Sequence, residues 1–179
     1  MTSNIQQEDS NKKKKKRLLI LLLLFILLDI ILLVALFITH TQLAPDYAPV
    51  NEEKYAEDMG DDDSNKLDQQ EGGGAVSLTY STDVDISLDK KQATLFFANP
   101  GKSNQDMVLQ LAIEDVVVLQ SGRLEPGNRV TSLNLLDGAE KRLAAGGYNG
   151  KFVVLYYDRT SGEKAMLNTE IPVTVTVTE

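Results

Sequence analysis

Three regimes of hydrophobic patterning follow one another along the chain. From Leu18 to Ile38 the run LLILLLLFILLDIILLVALFI is apolar at every position except Asp29. A helix rises about 1.5 Å per residue, so roughly 20 apolar residues cross a ~30 Å hydrocarbon layer. This pattern predicts a transmembrane helix over residues 18–39. Residues 40–74 show no apolar period and hold a triple Asp and a triple Gly. High charge with low hydrophobicity predicts a disordered, flexible stalk there. By chain statistics such a stalk spans roughly 30–35 Å.

From Ala75 onward apolar and polar residues alternate, the period of half-buried strands. The stretches AVSLTY, DVDISL, QATLFFA, DMVLQLAIE, VVVLQS, RVTSLNLL, KFVVLYYD and IPVTVTVTE each read as a strand. NPGKSN, SGRLEPGN and RTSGE between them are turn clusters, and GAEKRLAAGG is a connector with room for a helical turn. Short strands at regular spacing, with no long amphipathic helix between them, predict an all-β ectodomain, an antiparallel β-sandwich over residues 75–179.

Charge sets the topology. Residues 1–17 hold six basic and two acidic groups, a net of +4, and Lys12 to Arg17 adjoin the apolar run. Positive flanks stay on the cytoplasmic side. The expectation is a single-pass type II membrane protein: cytoplasmic basic tail 1–17, membrane helix 18–39, acidic stalk 40–74, extracytoplasmic sandwich 75–179. A cleaved signal peptide would have a shorter apolar region and a small-x-small cleavage site. Ala44 before Pro45 is the one small residue nearby, so an uncleaved anchor is expected. Residues 40–74 carry a net of −8 and residues 75–179 a net of −3. The low pI is therefore mostly a property of the stalk, and no basic folded face offers itself to nucleic acid.

The chain has no cysteine and no Asn-x-Ser/Thr acceptor, and His40 is its single histidine. Disulfides, thiolate metal sites and cysteine nucleophiles are excluded. Both absences lean toward a bacterial envelope protein. His40 sits at the outer end of the span, which removes His-dependent catalysis and zinc arrangements from the folded part. DDDSNKLDQQEG fails as a calcium loop, because the Gly and Glu positions counted from Asp61 fall on Lys66 and Gly72. Asp83 and Asp85 share one strand face opposite Val84 and Ile86 and read as solvent-facing. NPGKSN lacks phosphate-loop spacing. No catalytic residue, cofactor site or metal site is expected, and the protein is not expected to be an enzyme.

Two places are candidates for contact. Asp29 costs about 2.5–3.5 kcal/mol at a helix centre, which the surrounding Leu and Ile outweigh. It is expected to contact another membrane helix, in a protein partner or a second copy. Exposed loops at a sandwich end are common binding places, which singles out Asn99, Gly101, Lys102, Ser103 and Asn104.

LAAGGYNGKFVVLYY places Leu143, Gly146, Gly147 and Tyr148 just before a strand. It resembles the corner preceding the F strand of immunoglobulin-like and fibronectin-like sandwiches, where a Tyr hydroxyl bonds back to the loop. LFFANPGKSNQDMVLQLAI looks like the B–C pair of bacterial immunoglobulin-like modules, and SGRLEPGNRVTSLNLL like the turn and strand before that corner. The Cys and Trp of antibody domains are absent. The resemblance implies an immunoglobulin-like sandwich and says little of its role. The expected function is a membrane-anchored extracytoplasmic interaction module, an accessory subunit of a bacterial envelope complex. The alternative is an energy-coupling or sensory subunit in which Asp29 takes up and releases a proton. One intramembrane Asp with an outside domain is similar to proton-driven stator proteins, but no Pro follows Asp29 closely.

Overall fold

The computed structural model describes residues 17, 21–30, 46–60, 65–69 and 73–179. The chain divides into two compact units, Met1–Leu43 and Ala44–Glu179.

In the first unit, residues 21–30 are helical. Every apolar side chain from Leu21 to Leu28, and Ile30, is exposed along that helix, as is Asp29. Among the described residues no helix is long and apolar enough to cross a membrane. Residues 1–16, 18–20 and 31–45, with most of the basic tail, half of the expected span and His40, lie outside the described residues.

The second unit is all-β. Among the described residues its strands are β1 (Glu57–Asp58), β2 (Thr79–Tyr80), β3 (Asp83–Ser87), β4 (Gln92–Asn99), β5 (Gln105–Ile113), β6 (Val116–Gln120), β7 (Asn128–Asn134), β8 (Gly146–Asp158) and β9 (Thr169–Thr178). Their order across the sheet is β1-β7-β4-β3-β9-β8-β5-β6, with β2 on β4. The sheet curls until its far end meets β7: Leu119 bridges Leu135, and Leu136 N–H donates to Val118 O at 2.9 Å.

Alternation sets which face is inward. In β9, Ile171, Val173, Val175 and Val177 are buried while Glu170, Pro172, Thr174, Thr176 and Thr178 face out. In β3, Val84 and Ile86 are buried and Asp83 and Asp85 are exposed. The inward residues form one core, in which Phe97 and Phe152 meet edge to face at 6.4 Å. Burying such side chains contributes about 1.5–3 kcal/mol each. Turn chemistry fixes the register. Glu114 and Asp115 both have positive φ between Ile113 and Val116, a two-residue primed turn whose twist suits a hairpin. Pro126 and Gly127 (φ 90°) complete a turn closed by Asn128 N–H to Glu125 O.

Two expectations change. The sheet is not wholly antiparallel, because β3 pairs antiparallel with β4 and parallel with β9. Alternation reports which face is buried but carries no information on strand direction. The acidic stretch 40–74 is also not a free stalk throughout. Residues 46–60 and 65–69 belong to the β unit, and β1 is a strand of its sheet. Composition argued for disorder there, but backbone pairing and a few placed side chains override it.

Candidate interaction site

Residues 46–59 form a strap across the β unit. At its start Ala48 N–H donates to Gly162 O (2.8 Å) and Lys164 N–H to Asp46 O (2.9 Å), beside the turn after β8. Ala48 then packs on Val108, Leu155 and Tyr157, the outward apolar patch of β5 and β8. Nearby Asp46 and burial both push the Tyr157 hydroxyl pKa up, burial more. This cover buries Val108, one of the outward positions at which β5 departs from alternate burial.

Further on, the strap pairs along the segment that follows β6. Arg123 N–H donates to Asn51 O (3.1 Å) and Glu53 N–H to Arg123 O (2.9 Å). Glu53 is only 9% exposed. Its Oε2 accepts the Gly122 N–H at 2.6 Å and its Oε1 accepts the Tyr55 N–H at 3.0 Å. A Cβ on Gly122 would lie 2.9 Å from the Glu53 backbone, so the approach needs a glycine. Tyr55 and Ala56 pack against the main core, and Tyr55 Oη donates to Asn134 Oδ1 at 3.1 Å. Finally β1 pairs with the start of β7, Glu57 opposite Arg129 and Asp58 opposite Asn128. Glu57 Oε2 is 3.1 Å from Arg129 Nε, and Thr131 Oγ1 donates to Glu57 Oε1 at 3.2 Å.

A charged cluster lies at the middle of this path. Asp106, 6% exposed, has Oδ1 at 3.2 Å from Arg159 Nε and Oδ2 at 3.6 Å from Arg123 Nε. The first contact is not aligned as a hydrogen bond and the second is too long for one, which leaves Asp106 Oδ1 and Arg123 Nε buried beside opposite charge without a directed bond. Glu125 links the two cations, at 3.1 Å from Arg123 and 3.3 Å from Arg159. Glu52 of the strap reaches Arg123 at 3.4 Å. Burial pushes the Asp106 carboxyl pKa above its usual value; Arg159 and Arg123 oppose this and Glu125 adds to it. Desolvation thus outweighs pairing here.

The expected binding loop is placed differently. Asn99 is fully buried and its Nδ2 donates to Gln105 O and Leu124 O, both at 3.0 Å. Ser103 Oγ accepts the Ser77 N–H at 2.9 Å and donates to Ser77 O at 3.2 Å. Asn104 Nδ2 donates to Leu67 O, and Lys66 Nζ donates to the carbonyls of Gly101 and Ser103. Lys102 is the exposed side chain of the five. Their polar groups hold segments 65–69 and 75–77 in place, which leaves Lys102 as the side chain of the five that reaches solvent freely.

The corner has a direct geometric counterpart. Tyr148 Oη donates to Ala144 O at 2.9 Å and accepts the Ala144 N–H at 3.1 Å. Leu143 packs against the core, and Gly146 has φ 152°. Beside β8 an open cleft of about 770 Å³ is lined by Gln105, Tyr156, Lys164 and Thr169, with the exposed Met166 and Leu167 at its rim. Tyr156 Oη and Thr169 Oγ1 are 2.6 Å apart.

The charged cluster and the strap were missed from sequence. Asp106, Arg123, Glu125 and Arg159 are dispersed in the chain, and only strand pairing brings them together. Tyr47 and Tyr55, aromatic residues inside an acidic run, were the available sign that the run is not all solvent-borne.

No family model matches the chain, and no curated protein matches it. Among solved structures, it is similar to the major subunit of aggregative adherence fimbriae type I from Escherichia coli. The identity is 10% and the TM-score 0.30, over 63% of this chain and 99% of that one.

Proposed function

We propose that the chain is a single-pass membrane protein of a bacterial envelope, with its N-terminus cytoplasmic and its β unit outside. In this reading the β unit is an immunoglobulin-like sandwich that acts as a non-enzymatic interaction module, an accessory subunit of an envelope complex. The observation that carries the anchoring is the apolar run Leu18–Ile38 beside six basic residues. The wholly exposed apolar surface of helical residues 21–30 supports it, since such a surface suits lipid or another helix.

The immunoglobulin-like reading is supported by strand order. The path divides at the β3/β9 pair into β7-β4-β3 and β9-β8-β5-β6. In chain order from β3, that is E-B-A against G-F-C-C′. The Tyr148 bond to Ala144 at the start of β8 is a second support. The test is a gentle detergent pull-down of the full chain with its partners identified. A reproducible envelope-protein partner is expected; recovery of the chain alone, at any detergent strength, contradicts the module reading.

A further inference from the structure

The strap is a strand borrowed from a region of acidic, spacer-like composition. What it covers is specific. The segment Gly122–Leu124 and the start of β7 are backbone edges, and an open edge is a template for another extended chain. Along this groove the β unit presents the Gly122 and Arg123 N–H groups, the Arg123 and Arg129 guanidiniums and the Thr131 hydroxyl. The strap answers with carboxylates at Glu52, Glu53 and Glu57. Two guanidiniums and one backbone N–H of the edge thus face carboxylates of the strap. Apart from Tyr55, Ala56, Ala48 and the buried Glu53 carboxylate, the strap is held by backbone bonds and by ion pairs that are exposed on the strap side. Exposed pairs are individually weak, and elements with few apolar contacts open first.

We propose that this groove is an acceptor site for an extended acidic segment, filled here in cis, and that the strap of a second copy is its occupant in trans. A second copy brings the same Glu52, Glu53 and Glu57 at the same spacing, so the fit is identical by construction. Copies held close together meet the exchange at high effective concentration. The proposal does not depend on whether the chain is membrane-anchored.

The native chain has no cysteine, so an introduced pair reports cleanly. Full-length Glu57→Cys and full-length Arg129→Cys are mixed and oxidised; the two positions face each other across β1 and β7. Strap exchange predicts a mixed disulfide at least about five-fold above that from Glu57→Cys with Lys90→Cys, because placement raises effective concentration. An excess of a synthetic peptide of residues 46–60 should suppress it, and a scrambled peptide should not. Mixed disulfide no higher than the Lys90 control, or equal suppression by the scrambled peptide, overturns the proposal. An independent measurement uses full-length Glu53→Ala, whose own strap is loosened. Added strap peptide should slow amide exchange at Gly122 and Arg123 again; unchanged exchange at saturating peptide also overturns it.

Discussion

The carboxylate of Glu53 is buried against the backbone of Gly122, its Oε2 taking the Gly122 N–H at 2.6 Å. One side chain thereby fixes an acidic segment onto a sheet edge. A hydrogen bond to a charged group contributes about 1.5–3 kcal/mol. Glu53→Ala should therefore raise amide exchange at Gly122 and Arg123 by roughly 10- to 100-fold. Gly122→Ala should do the same, because its Cβ meets the strap backbone. Exchange in β8 and β9 should barely change in either variant. Hydrogen exchange with mass spectrometry checks this, and uniform loosening of the whole unit would contradict a local anchor.

Tyr148→Phe removes the bond to Ala144 and keeps the ring. The loss should be about 0.5–1.5 kcal/mol of unfolding free energy, with no change in spectrum or oligomeric state. Denaturant melts of the variant and parent measure it. An unchanged midpoint would mean that the ring alone makes the corner.

Asp106 gives a pH signature. Its folded carboxyl pKa is raised by burial, so the folded state binds its proton more tightly than the unfolded chain does. That contribution is fully present below the ordinary Asp value and is lost as pH rises through the folded value. Asp106→Asn lacks it. The Tm difference, Asn variant minus parent, should therefore become more positive as pH rises from acid to neutral. Near neutrality the variant should lie within about 1 kcal/mol of the parent, since removing a desolvated charge offsets the lost pairing. A difference that becomes more negative with rising pH would show that Arg159 and Arg123 outweigh burial.

Asp29 is the one polar side chain in the apolar run. Interhelical hydrogen bonds in membranes average about 0.6 kcal/mol and rarely exceed ~2. Asp29→Leu should leave insertion intact and weaken co-purification with a membrane partner or a second copy. Asp29→Asn, which keeps the polar contact, should weaken it less. Equal recovery with all three residues would mean that the carboxyl is only tolerated. Full recovery with Leu and loss of activity with Asn would instead point to proton exchange.

Much of the β unit was legible because its strands are strongly periodic. IPVTVTVT alternates inward and outward and lies in β9 with Ile171 and its valines inward. KFVVLYYD falls inside β8, which begins five residues earlier because Gly146–Gly150 also pair with β9. The parallel β3/β9 contact was not legible, since pattern marks faces and not direction. Nor was the strap, where pairing is made by backbone groups that every residue carries. At the loop Asn99–Asn104 side-chain polarity did not report burial. Its polar side chains suggested an exposed site, yet Asn99 and Ser103 are themselves buried and bond to neighbouring backbone.

The most direct measurement of the central reading is protease accessibility in intact, wall-stripped cells. An outward β unit with a docked strap predicts release of a soluble fragment that keeps residues 46–179 together, because Asp46 and Ala48 are paired to the turn after β8. A chain left whole until the membrane is permeabilised would contradict the proposed topology.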